Sequence, residues 1–363
     1  MNPFIPEQLP LQNIDWLDLI PDFIEANRAL AKYNGILSSI VNPELLLSPL
    51  MTQEAVISSH IEGTQATLEE VLEFEASEME KSPRYDDFKE IINYRQAMRY
   101  AAQNLKERPI CLNLMLEMHS MLLDSVRGHN KARGMFRTVQ NYIGPPGSKL
   151  ENANYVPPPP EKVLELMSNL EKYIHYEEKD RLVQLAVIHA QFELIHPFVD
   201  GNGRLGRILI PIFLFEKSLI FRPVFYISSY FEKYRVLYYE SLKNISDKGD
   251  WNGWIRFFLL VVATQAVHNT VKALEIISLY RDMKEKIPKI TRSQFAIKAL
   301  DAIFDTPTFT TSYFIKKSGI AKQSAMRLLD SLIKENILSV VREGSGQRAR
   351  ILSFPQLIQI TKE

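Results

Sequence analysis

His196-Pro-Phe-Val-Asp-Gly-Asn-Gly-Arg-Leu-Gly-Arg207 is the stretch from which the rest of the chain can be read. Apolar residues at helical spacing run up to Ile195, and Pro197, which has no backbone donor, ends that helix at His196. Phe198 is expected to point inward and anchor the loop. Asp200-Gly201-Asn202-Gly203 reads as a tight turn opening a second helix, whose Leu205, Ile208, Leu209 and Phe213 face the core. Glycines at a helix N-terminus let backbone N–H groups approach an anion, and the helix dipole there favours negative charge. Arg204 and Arg207, three apart, can clamp phosphate oxygens bidentately. Asp200 supplies a hard oxygen of the kind Mg2+ uses beside phosphates, and His196 is a candidate general base near neutral pH. Base, metal carboxylate, anion nest and arginine clamp are the parts of a phosphoryl- or nucleotidyl-transfer site. A lone histidine or arginine is usually core or solvated surface, but so many specified positions in a dozen residues exclude coincidence. The Walker pattern Gly-x4-Gly-Lys-Ser/Thr is absent.

Outward from this loop the chain reads as mainly α. Helical periodicity predicts helices over about 15–33, 44–62, 67–77, 85–106, 113–125, 160–176, 180–195, 202–217, 230–245 and 252–285. Between Phe136 and Pro160, Thr138–Ile143 and Asn154–Val156 flank the turn former Gly144-Pro-Pro-Gly147, which predicts a β-hairpin flap. The tail differs: a helix over 293–305, a short strand at 308–311, helices at 312–318 and 322–335, then strands at 338–342 and 348–354. That order is the order of a small winged helix-turn-helix domain. Residues 291–363 hold 11 Lys/Arg against 6 Asp/Glu, so this part is locally basic. The expected division is 1–105, 106–285 and 291–363.

With 43 Lys+Arg against 43 Asp+Glu, the whole chain has no field that points to nucleic acid or membrane. Its one cysteine, Cys111, excludes an intrachain disulfide framework and a cysteine-based metal cluster, and the cytoplasm is the expected compartment. The N-terminus lacks the basic and apolar runs of a secretory signal. The most apolar stretches, 208–215 and 257–263, fall far short of the roughly 20 residues of a membrane span.

The central motif matches HPFx(D/E)GNGRxxR, the signature of the Fic family, at every specified position. The resemblance extends over roughly residues 1–275: Gly134-Met-Phe-Arg137 and Tyr155-Val-Pro-Pro-Pro159 resemble flap boundaries, and Tyr230-Phe, Arg235-x-x-Tyr-Tyr239 and Gly249-Asp-Trp251 resemble the helices downstream. It implies a Fic-type helical bundle with a β-hairpin flap. It also implies transfer of AMP from ATP to a Ser, Thr or Tyr hydroxyl of a target protein, self-modification included. By resemblance His196 takes the hydroxyl proton, Asp200 holds Mg2+, and Gly201, Asn202 and Gly203 form the α-phosphate hole. Arg204 then binds the β-phosphate and Arg207 the γ-phosphate, and Tyr239 and Leu242 line the adenine pocket. The flap, at Gln140, Asn141, Tyr142 and Ile143, receives the target segment by strand addition. Relatives with Lys in place of Gly203 transfer phosphate, so Gly203 favours AMP. Upstream, Ser58-Ser-His-Ile-Glu62-Gly63 resembles the inhibitory motif Ser/Thr-x-x-x-Glu-Gly/Asn of the N-terminally inhibited class. Ser58 and Glu62 share a helix face, and by resemblance Glu62 pairs with Arg207 in the γ-phosphate position.

A competing reading makes the chain a transcriptional regulator with the Fic core as nucleotide sensor. Lys322, Gln323, Ser324 and Arg327 would then enter a DNA groove, with Arg348 and Arg350 on backbone phosphates. The alternative for that module is protein contact, with a homodimer as one form. A third reading keeps the fold and changes the donor to UMP or phosphocholine. His60, His119, His129 and His189 show no metal spacing and read as ordinary helical histidines.

Overall fold

A computed structural model of the chain describes residues 2–40, 42–77, 83–124, 132–144, 150–345 and 349–362. The helices are α1 (Trp16–Ser39), α2 (Pro43–Leu46), α3 (Ser48–Ile61), α4 (Leu68–Ser77), α5 (Tyr85–Asn104), α6 (Leu112–Leu122), α7 (Pro160–Ile174), α8 (Arg181–Ile195) and α9 (Asn202–Glu216). They continue as α10 (Ser228–Lys233), α11 (Arg235–Lys248), α12 (Trp251–Thr291), α13 (Ala296–Asp305), α14 (Thr311–Ser318), α15 (Lys322–Lys334) and α16 (Pro355–Lys362). Three short strands, β1 (Thr308–Thr310), β2 (Ser339–Arg342) and β3 (Ile351–Ser353), form one antiparallel sheet in the order β1-β3-β2. Phe309 lies opposite Leu352, and Val340 opposite Leu352 on the other side.

The predicted helix over 44–62 is broken at Leu47, because Pro49 lacks an N–H and its ring crowds the carbonyl one turn back. The predicted helix over 230–245 is likewise two, with Tyr234 (φ −114°, ψ 38°) ending α10 and starting α11. The strand expected over 348–354 shrinks to 351–353, and α16 follows it. Pro355 is the first residue of that helix, where a missing N–H costs nothing. Among the described residues the flap arms meet in a single antiparallel bridge, Ile143 to Tyr155, rather than in two strand runs. The reason is visible in its side chains. Gln140 Nε2 donates to Pro157 O on the facing arm (3.0 Å), while Asn141 Nδ2 donates to Phe198 O (3.0 Å), so side chains tie the segment both to that arm and to the motif loop in place of a backbone ladder. The turn at 145–147 lies outside the described residues.

At the centre is α8, in which every residue from Leu182 to Phe192 is buried. Asp180 caps it, its Oδ1 accepting from the amides of Leu182 (2.8 Å) and Val183 (2.9 Å), a contact of about 1 kcal/mol. It packs between α7, α9 and the 41-residue α12, whose Trp254 is fully buried and donates Nε1–H to Ala186 O at 2.8 Å. An 18-residue window of α12 is apolar enough to cross a bilayer, but 67% of it is buried inside the protein. One hydrophobic core runs from Leu9 to Leu357 and so includes the C-terminal elements. A second small cluster, Leu68, Leu72 and Ile358, joins α16 to α4, beside an ion pair between Lys362 and Glu69. The C-terminal module is therefore packed against α4, the helix that follows the Ser58–Gly63 motif.

Candidate active site

The loop between α8 and α9 has the shape its residues demand. His196 ends α8 in the left-handed region (φ 48°, ψ 61°), a conformation that a non-glycine residue holds only when its surroundings fix it. Arg137 does the fixing. It is 2% exposed, and its Nε donates to His196 O (2.9 Å) while its Nη2 donates to Pro158 O (2.6 Å). Its own amide donates to Pro197 O (2.9 Å), so one residue ties the loop to both ends of the flap. Phe198 is fully buried and stacks on His119 with ring centroids 3.8 Å apart. His119 Nδ1 accepts the amide proton of Gly134 (3.0 Å), which leaves Nε2–H to donate to Asp200 O (2.9 Å). Burial holds this imidazole neutral, at about 4. The histidine read as an ordinary helix residue thus orients the turn that carries Asp200.

Gly201 is the N-cap of α9 and offers no side-chain cap, so the first-turn amides are open to an anion. The Asn202 side chain, expected in the anion hole, is engaged elsewhere. It accepts from Phe198 N (2.8 Å) and donates to Phe198 O (2.8 Å), closing the loop on itself, and only its backbone amide remains for a phosphate. Arg204 is 4% exposed and pairs with Glu90 of α5 (2.9 Å), with Asp200 Oδ1 3.4 Å from its Nη2. Sequence reasoning missed Glu90, which nothing in the periodicity of α5 marks out. Among the described residues no three His, Cys, Asp or Glu side chains gather as a metal cluster. A partly exposed single carboxylate, Asp200, suits Mg2+, which is commonly held by one or two carboxylates plus substrate phosphates.

Arg207 is 1% exposed and already occupied. Its Nη2 donates to Glu62 Oε1 (2.7 Å) and to Ser58 O (2.8 Å), and its Nε to Ser58 Oγ (2.8 Å). Burial disfavours the guanidinium charge, but the Glu62 carboxylate, with Tyr238 and Glu193 adding to it, holds the group above the ordinary arginine range. In return Arg207 overcomes the burial that would raise the Glu62 carboxyl and keeps it below the usual carboxylate range. Gly63 (φ 101°) ends α3 just beyond Glu62, in a conformation that favours glycine. A Cβ at Gly203 would stand 2.2 Å from Glu62 Oε1, so this glycine is the floor on which the carboxylate rests. Upstream on α3, buried Glu54 accepts from Ser228 N (3.1 Å) and Ser228 Oγ (2.6 Å), anchoring the helix to α10. His196 is neutral at physiological pH. Burial lowers it to about 4, against a smaller upward pull from Glu62. Glu193, one turn before it, is pushed up to about 8 by burial despite the charge of Arg207.

Residues 20–103 match the family described as Fic/DOC family N-terminal, and residues 109–214 match the Fic/DOC family, together more than half of the chain. The chain belongs to the Fic/DOC family. It is 31% identical over 207 residues to the Protein adenylyltransferase Fic of Drosophila grimshawi, an alignment covering 54% of this chain and 38% of that protein. It is 30% identical over 178 residues to a probable protein adenylyltransferase of Aquifex aeolicus, covering 49% and 52%. The chain thus spans about half or less of the length of these relatives. Among solved structures, a Fic family protein from Desulfovibrio desulfuricans superposes with a TM-score of 0.57 at 19% identity, over 96% of this chain and 98% of that one. Fic-1 from C. elegans does so at 0.51 and 22% identity, over 72% and 74%. At these identities the likeness is one of fold.

The remaining predicted residues fall around the Fic loop in different ways. Burial raises the Tyr239 phenol of α11, with Glu62 adding to the rise and Arg207 opposing it, and Leu242 is half-buried one turn on. On the flap, Val139, Tyr142 and Ile143 present exposed apolar side chains. Lys322, Gln323 and Arg327 are exposed on α15, with Ser324 half-buried between them. Arg350 is paired with Glu343 (3.0 Å) and Asp330 (3.2 Å) and so already has anionic partners. Arg348 lies outside the described residues.

Proposed function

We propose that this chain transfers AMP from ATP to a Ser, Thr or Tyr hydroxyl of a protein, and that Glu62 holds the reaction in check. One observation carries the reading: a neutral His196 stands at the mouth of an uncapped helix start whose two arginines are buried, and one of them is gripped by Glu62. In the proposed reaction the β- and γ-phosphates of ATP take Arg204 and Arg207, and the amides of Gly201, Asn202 and Gly203 face the α-phosphate. His196 removes the proton of the attacking hydroxyl, the new P–O bond forms at the α-phosphorus, and the bond to pyrophosphate breaks. Asp200 would hold Mg2+, which supplies charge neutralisation at the phosphates. The apolar flap edge at Val139, Tyr142 and Ile143 receives an extended target segment, self-modification being one case. Tyr239 and Leu242 wall the adenine.

The names of the relatives in Drosophila and Aquifex support adenylyl transfer over transfer of UMP or phosphocholine. No observation favours the DNA-binding reading; the wing arginine Arg350 is held by two carboxylates. The test is intact-mass analysis of Glu62→Gly and Glu62→Gly/His196→Ala after incubation with ATP and Mg2+, alone and with lysate proteins. The first should yield AMP adducts and the second none. A Glu62→Gly protein that modifies neither itself nor any added protein contradicts the proposal.

A further inference from the structure

A cavity of about 730 Å3, lined by none of the motif residues His196–Arg207, lies where α3, α4 and α5 meet the C-terminal module. That size is ordinary for a small-molecule site. Among the described residues its charge is one-sided. Arg95, Arg99, Lys106, Arg222 and Lys317 line it, against Glu75 and Asp305. The two carboxylates are each taken by one cation, Glu75 by Arg95 (2.7 Å) and Asp305 by Lys317 (2.8 Å). Arg99 sits one helical turn from Arg95 and makes no hydrogen bond among the described residues. Burial and the like charge of Arg95 pull it below the ordinary arginine range, against a smaller upward pull from Glu75 and Asp305. Arg95 Nε is buried and has no acceptor among the described residues. Apolar lining is also present, from Pro223, Pro307 and Phe309.

We propose that this cavity binds a small phosphorylated compound carrying two or more negative charges, its phosphates meeting Arg95, Arg99 and Lys106 and its remainder lying against Phe309. Closely spaced guanidinium groups with unfilled donors match phosphate oxygens, and a multivalent anion offsets the like-charge repulsion along α5. The site has a mechanical consequence, which rests on the reading of Glu62 as a brake, whereas binding does not. Arg95 Nη1 also donates to Thr52 of α3 at 3.1 Å. Thr52 is six residues before Ser58, about 9 Å along the same helix. A phosphate that draws Arg95 away loosens the helix that grips Arg207.

The test uses the full chain and two probes, inorganic pyrophosphate and fructose 1,6-bisphosphate, in isothermal titration calorimetry, with sulfate at equal ionic strength as control. The two arms separate an inorganic from an organic source of the phosphates. At least one probe should bind, and Arg99→Gln/Lys106→Gln should weaken binding tenfold or more. Neither side chain makes a hydrogen bond among the described residues, so the variant should keep the wild-type melting temperature. If neither probe binds in the millimolar range, if sulfate binds as well as the probes, or if binding survives the double substitution, the site is overturned. Hydrogen exchange over 48–61 should quicken with the probe in wild type only; unchanged exchange despite binding overturns the link to α3.

Discussion

Removing the Glu62 carboxylate should turn Arg207 from a protein partner into a nucleotide partner, and the size of the change can be worked from the contact. The pair is 2.7 Å apart, with Arg207 1% and Glu62 35% exposed at the side chain. A hydrogen bond between charged groups contributes about 1.5–3 kcal/mol, and the exposure of Glu62 moves this pair to the lower end. Because ATP must displace Glu62 to reach Arg207, Glu62→Gly should bind ATP about 10- to 30-fold more tightly than wild type. The same substitution leaves a buried guanidinium with only Ser58 as partner. The free variant should therefore melt lower than wild type, and saturating ATP should raise its melting temperature by more. Glu62→Gln, which keeps the size and loses the charge, should fall between. Calorimetric titration with ATP, alongside thermal denaturation, checks all three. Equal ATP affinity in wild type and Glu62→Gly would refute the claim that Glu62 occupies a phosphate seat.

Three further outcomes follow from the same geometry. In Glu62→Gly, where the carboxylate that raises the His196 pKa is gone, the acidic limb of the transfer rate should lie at or below about pH 4; a limb near the ordinary histidine value of 6.5 would mean the imidazole is not shielded as described. Glu193 keeps its proton to about pH 8 in the folded chain but releases it near 4.5 when unfolded, so the unfolded state binds fewer protons in between. Its contribution to stability should decline as pH rises through that window, by up to about 1.4 kcal/mol per pH unit, and urea denaturation at pH 5 and 7.5 should find this slope absent in Glu193→Gln. His119→Ala removes the stack on Phe198 and the bond to Asp200 O, so it should cost about 2–4 kcal/mol and lower the transfer rate of Glu62→Gly beyond any loss of folded protein.

What could be read in the sequence was what neighbouring residues decide together. Pro197 after Ile195 ends α8, and glycines at 201 and 203 leave the next helix start bare; both features lie within a dozen residues. The Glu62–Arg207 contact was legible only in part, because Ser58 and Glu62 share a face by spacing while their partner Arg207 stands 145 residues beyond Glu62. Resemblance, not periodicity, joined them. Glu90 and His119 escaped notice for the same reason. Their partners, Arg204 and Asp200, are 114 and 81 residues away, and on their own helices they look like any solvated acid or core histidine. Arg137 was noticed as a flap boundary, but nothing local shows that its guanidinium binds four carbonyls of the motif and flap. The bonds of the Asn202 side chain to Phe198 were not legible, because an asparagine in a glycine turn suits either an anion or a backbone clamp, and only packing decides.

The central claim is that the bond made to the protein is to the α-phosphorus of ATP. Incubating Glu62→Gly with Mg2+ and ATP labelled with 32P at either the α- or the γ-phosphate tests it in a single gel. The account predicts protein-bound label from α-labelled ATP, none from γ-labelled ATP, and loss of the signal in Glu62→Gly/His196→Ala. Label carried from the γ-phosphate would contradict it, since that outcome is phosphate transfer and would place the nucleotide in the opposite sense across Arg204 and Arg207.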